Sequence, residues 1–172
     1  MTAHTTPKRA GDERDGRHDF DFLVGNWEVA NRRLEDPLSQ EGAHWLEFAS
    51  TAESRPILGG LGNVDTYVIA EFPGRGRFHG FALRLFQPTT GLWRIWWAST
   101  GGDGRLDMPV VGRFEDGQGR FECSDVVGGR AVAVRYDWTD ITPSSARWEQ
   151  AFSVDGGQSF VTNWVMRFTR IA

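Results

Sequence analysis

Side chains able to handle a small molecule are concentrated in runs of alternating residues. Over 130–139, Val132, Val134, Tyr136 and Trp138 share one face of an extended chain, and Ala133, Arg135 and Asp137 share the other. Carrying that parity into the next hairpin puts Trp148, Gln150, Thr162 and Trp164 beside Tyr136 and Trp138. The shared face is apolar apart from two isolated polar groups, Gln150 and Thr162. Buried polar groups need partners, so these two either bind a polar group of a ligand or bond each other or ordered water. A second set lies in the hairpin from Phe81 to Trp97, which carries Arg84, Trp93, Ile95 and Trp97. Both of its faces are apolar, which leaves open the one that points inward. If Trp93, Ile95 and Trp97 face in, Arg84 does too. A guanidinium among aromatic rings can grip a ligand carboxylate through two parallel hydrogen bonds, or pair with an internal acid such as Glu47. Glu47 shares parity with Trp45, and Asn31 and Arg33 share it with Trp27, as cavity groups or as rim residues.

Sets of residues with known catalytic geometry are missing. The chain has no Gly-x-Ser-x-Gly elbow and no phosphate loop. His18 with Asp19 and Asp21 reads as a helix start rather than a metal site, and no metal site is expected. Cys123 falls on the inward face, where an apolar setting raises its pKa and makes it inert. Catalysis on a hydrophobic substrate would have to run through an internal acid, Glu47 or Asp65.

These residues need strands to position them. The spacing predicts ten, over 26–35, 43–54, 63–72, 77–87, 92–99, 108–115, 118–125, 130–139, 145–154 and 158–169, with one short helical segment around Asp19 to Val24. Asp116-Gly117 and Gly128-Gly129 read as two-residue hairpin turns, Pro88 to Gly91 as another turn, and Asp155 to Gly157 as a three-residue loop. With these loops Gly112 pairs with Phe121, Cys123 with Val134, Gln150 with Thr162 and Trp148 with Trp164. Aromatic residues then meet across strands, as a specified register requires. The segment Arg55 to Asp65, with Pro56 and three glycines, breaks the pattern as a lid over a cavity mouth or as a wide turn. An uninterrupted meander with one buried face and no helices to cover it favours an all-β, single antiparallel up-and-down barrel, because closure removes bare edges.

The 172 residues suit one domain over 18–172 behind a disordered leader at 1–17. The aromatics are 8 Trp and 12 Phe against 2 Tyr, and large rings favour strands and cores. The net charge of −4 argues against nucleic acid as a partner. No run approaches the ~20 apolar residues that a membrane helix needs, and the polar leader is no secretory signal. With a single cysteine, a cytoplasmic location is expected. The apolar outer face of the 77–99 hairpin is expected to be covered in a homodimer.

The stretch Gly25-Asn26-Trp27 entering the first strand resembles the Gly-x-Trp that opens lipocalins and related calycins. That resemblance implies that Trp27 packs at the closed end of the barrel, under Arg167 or Arg170. Phe20-Asp-Phe-Leu-Val-Gly-Asn-Trp27, Arg55-Pro-Ile-Leu-Gly-Gly-Leu-Gly-Asn-Val-Asp65, Ala146-Arg-Trp-Glu-Gln-Ala-Phe-Ser-Val-Asp-Gly-Gly157 and Asn163-Trp-Val-Met-Arg-Phe-Thr169 together resemble an uncharacterised bacterial family of calycin-like barrels. The resemblance implies a fold and carries no activity. Nitrobindin-like haem barrels differ in having an axial His on a late strand. The histidines here are His4, His18, His44 and His79, so no haem or other cofactor is expected. The expected function is binding of a small hydrophobic molecule with a polar or anionic head group. An enzyme in the same cavity and a filled barrel with a structural role are the alternatives.

Overall fold

Alternation in the sequence becomes ten antiparallel strands in the computed structural model, which describes residues 15–39 and 43–171. They are β1 Gly25–Leu34, β2 Trp45–Ile57, β3 Gly62–Phe72, β4 Gly76–Gln87, β5 Leu92–Ser99, β6 Val110–Glu115, β7 Gln118–Val127, β8 Arg130–Thr139, β9 Ser145–Ser153 and β10 Val161–Arg170. Each expected strand is present, with ends moved by at most three residues. Neighbours in sequence pair, and β1 pairs with β10 to close the barrel. Of the expected leader, residues 1–14 lie outside the described residues. Gly16 is already buried against the barrel and accepts a hydrogen bond from Trp93 Nε1 at 3.0 Å.

The end where β1 begins is plugged. Two 3-10 turns, Gly16–His18 and Asp21–Leu23, take the place of the expected helical segment. They push Phe20 into the lumen, where its ring lies 4.9 Å from Trp93, 4.9 Å from Phe114 and 5.7 Å from Phe121. Trp27 sits beneath, fully buried, and donates from Nε1 to Leu23 O at 2.7 Å. Arg170 is the arginine over it, with its guanidinium carbon 4.2 Å from the ring centroid. The same guanidinium donates to Pro143 O, Val24 O and Phe22 O. Gly25 has φ +125°, and a Cβ there would meet Arg170 Nη1, so this position needs glycine. Arg167 faces outward and is exposed.

The Asp116-Gly117 and Gly128-Gly129 hairpins have the expected register, with Gly112 opposite Phe121 and Cys123 opposite Val134. The last hairpin departs from expectation. Its connection runs over 154–160, where the Asp155 carboxylate collects Gln158 N, Ser159 N and the Ser153 and Ser159 hydroxyls. Phe152 therefore pairs with Val161, and Thr162 with Ala151. Parity is restored by a β-bulge at Asn163, after which Trp164 pairs with Gln150 and Met166 with Trp148. Trp164, Met166 and Phe168 thus face the lumen as expected, against different partners. Thr162 does not face it.

Arg55 to Asp65 is neither a lid nor at the mouth. Pro56 lies in β2 opposite Asn63, and Leu58–Gly60 forms a tight 3-10 turn at the plugged end. The seam between β5 and β6 is short, with three residue pairs from Trp93–Gly112 to Ile95–Val110. Beyond it the 100–109 segment drapes along β5, and Asp107 N donates to Trp97 O at 2.7 Å.

Candidate functional site

The unplugged half of the lumen holds a cavity of about 200 Å³. Its wall is a chain of rings carried on five strands. Tyr67 lies 5.4 Å from Trp97, Trp97 6.0 Å from Trp164, Trp164 5.6 Å from Trp148, and Trp148 4.9 Å from Tyr136. Trp138, Ala82 and Ile95 also line the cavity, while Arg33, Asp107 and Gln150 supply polarity. Glycine at position 80 makes room for one wall, since a Cβ there would stand inside the indole of Trp97. Asn31 orients another, accepting from Trp164 Nε1 at 3.1 Å while donating to Ser50 Oγ at 2.9 Å.

Of the residues singled out in the sequence, Trp97, Tyr136, Trp138, Trp148, Gln150 and Trp164 come together around this cavity. Gln150 donates to Asn163 Oδ1 at 2.8 Å rather than meeting Thr162, and Asn163 in turn donates to Pro37 O at the mouth. Trp93 is inward but belongs to the plug. Glu47 is on the outer surface opposite Arg32, with its side chain 78% exposed, and cannot serve as an internal acid. Trp45 shares that outer face and is covered by the Arg32 guanidinium at 4.5 Å. Using Trp45 as a marker of the inside therefore inverted this strand.

Arg84 does point inward, which settles the face of the β4–β5 hairpin. It is buried and already has its anion, lying 2.6 Å from Asp65 Oδ2 and donating to Asn63 Oδ1 at 3.0 Å. Burial opposes its charge, but Asp65 and Tyr67 outweigh burial and hold its pKa above the ordinary arginine value. Asp65 also accepts from the Tyr67 hydroxyl at 2.9 Å. Burial, then Asp65, pushes the Tyr67 phenol up, so it stays protonated. A carboxylate tied to an arginine and 1% exposed is a poor general base. Arg84 is thus internal structure and does not line the cavity.

Arg33, offered by the sequence as a cavity group or a rim residue, lines the cavity, and so do Tyr67 and Asp107, which the sequence had not placed there. The parity of Arg33 with Trp27 was the signal for one of them. Tyr67 follows the parity of Asp65, and Asp107 lies in a loop with no periodicity to read. The Tyr136 hydroxyl has no hydrogen-bond partner among the described residues, and burial, then Asp107, pushes its pKa up. Cys123, opposite Val134, is half-buried, and burial together with Asp125 and Asp107 pushes its thiol up to about 11. Alkylation by iodoacetamide at pH 8 is therefore expected to be at least roughly tenfold slower than for free cysteine. A rate matching free cysteine would show the thiol open.

Larger depressions lie outside the lumen, among them two of about 690 and 610 Å³. One is lined by charges already paired with each other, such as Arg120 with Asp137 and Arg113 with Glu115. The other follows the edge of the plug. Among the described residues, no group of three or more His, Cys, Asp or Glu is placed to hold a metal ion, and no helix is long and apolar enough to cross a membrane.

Neither a protein-family model nor a curated protein matches this sequence. Solved structures do match by shape. An S-type phycobiliprotein lyase, CPES, from Guillardia theta superposes with a TM-score of 0.63 over 93% of this chain and 94% of that one, at 9% identity. Identity that low speaks for the fold alone. The chain shares the calycin-like, lipocalin-type barrel of that protein.

Proposed function

We propose that the barrel binds one small, flat, hydrophobic molecule of one or two rings in its lumen, with a polar group of that molecule toward the polar lining residues of the cavity. The observation that carries this reading is the ring-walled cavity of about 200 Å³. A dry cavity of about 150 Å³ admits benzene, whereas drug-sized ligands fill sites of about 300 Å³ or more. The volume thus suits a ligand between these sizes and speaks against a filled barrel with a purely structural role. Catalysis has less support, since Asp65 is paired and Glu47 is outside. The four sequence segments quoted above support membership in the uncharacterised calycin-like family.

Naphthalene-1-methanol is expected to bind saturably by isothermal titration calorimetry. Ala82→Leu, which fills the cavity from a small lining residue, is expected to weaken that binding at least about tenfold while the protein stays folded. No saturable binding by the wild type, or an Ala82→Leu protein that binds equally well, would end this reading.

We also propose a homodimer through the outer face of β4 and β5. There Phe81, Leu83, Leu85 and Trp96 stand only half-buried, and Leu83 meets Trp96 and Val64 across the strands. Leu83→Glu is expected to convert a dimer into a folded monomer in sedimentation velocity. A wild type that is monomeric at tens of micromolar removes the proposal.

A further inference from the structure

The lumen contains two inward arginines in opposite situations. Arg84 is neutralised by Asp65. Arg33, on β1 two positions beyond Asn31, has no carboxylate paired with it among the described residues. Its guanidinium carbon lies 4.8 Å from the centroid of Trp164 and 5.7 Å from that of Phe72. Its Nε is buried and has no hydrogen-bond partner among the described residues. Stacking on rings returns less than it costs to withdraw an unpaired charge from water. Burial, then Arg75, lowers the Arg33 pKa. Arg75 lies at 5.6 Å from the same Phe72 ring, so two cations without an acid flank one side of the mouth. The opposite side carries Asp107, whose carboxyl is pushed up by burial, Asp125 and Asp103. The entrance is therefore polarised across its width.

We propose that the molecule held in the lumen is an aromatic carboxylate. Its acid group is gripped by the Arg33 fork and its ring lies against Trp148 and Trp164. Arg75 adds longer-range attraction, and Asp107 repels the acid from the other wall, which orients the ligand. A carboxylate matches the planar fork through two parallel hydrogen bonds, and a single fork inside a small cavity suits one such group. This inference rests on the lumen-binding reading and adds the chemical class of the ligand.

Three probes with one ring system separate the two ideas: naphthalene-1-acetate, naphthalene-1-methanol and naphthalene-1-methylammonium, each titrated calorimetrically. The acid is expected to bind at least about tenfold tighter than the alcohol, the increment of one charge-assisted pair, and the ammonium weakest. Arg33→Gln should abolish the preference for the acid over the alcohol, while Arg33→Lys should keep part of it. Acid and alcohol binding equally, or the ammonium binding tightest, overturns this inference and leaves lumen binding standing. Binding of none of the three overturns both. An Arg33→Gln protein that still prefers the acid assigns the anion elsewhere and also overturns it.

Discussion

Asp65→Asn is expected to cost about 3–5 kcal/mol of unfolding free energy, because it strands the Arg84 charge inside the barrel. The two groups lie 2.6 Å apart, with 1% and 3% of their side chains exposed, so water cannot take over from the lost carboxylate. The remaining neighbours of Arg84 are the Asn63 oxygen, the protonated Tyr67 hydroxyl, and the faces of Phe20 and Trp138 at 5.0 and 5.7 Å. None supplies a negative charge. The Tyr67 hydroxyl keeps an acceptor in the Asn side chain, so the loss reports mainly on charge. A matched apolar replacement, Asp65→Leu with Arg84→Met, removes both charges and is expected to be far milder than the single change. Equilibrium urea unfolding of the three proteins checks this. A single variant within about 1 kcal/mol of wild type would mean that Arg84 finds another partner, or water, inside.

Arg170→Gln is expected to cost about 2–4 kcal/mol, from three charge-assisted hydrogen bonds to carbonyl oxygens and the stack on Trp27. The loss should be local at first. Phe22 and Val24 are held by this side chain, so the 3-10 turns that insert Phe20 lose their clamp. In hydrogen exchange, the amides of Asp19, Leu23 and Val24, which close those turns, should lose protection well before β7 and β8. Uniform loss of protection across the barrel would show that the plug and the strands unfold as one unit instead.

Period-two patterning made the strands legible, and two-residue turns made most of the register legible, because Asp-Gly and Gly-Gly leave little choice of pairing. The last hairpin was misread for a local reason. The Asp155 carboxylate organises a longer loop through its own hydrogen bonds, and the Asn163 bulge then returns the strand to phase. A one-residue slip and a one-residue bulge cancel in facing but not in pairing, so only Thr162 moved off the lumen face. Parity with Trp45 points Glu47 inward, whereas β2 turns that face outward. Trp45 is accommodated outside by Arg32, an arrangement that depends on a neighbouring strand. The β4–β5 hairpin could not be oriented from its own residues. Its orientation rests on Asp65, which stands on β3 and receives Arg84. The candidate site was legible as a ring-lined lumen. Its charged entrance was not, since Arg33 and Asp107 acquire meaning only when β1 and the 100–109 segment meet around one opening.

Closure between β1 and β10 has a consequence for how this protein is made. The contacts of Arg170 with Val24 and Phe22 join residues 146 and 148 positions apart. Any sheet of β1 to β9 that forms before β10 pairs with β1 carries two bare edges. Pairings that distant in sequence are slow to find. The strand of another chain can dock on either of those edges, and pairing of β10 with β1 removes both at once.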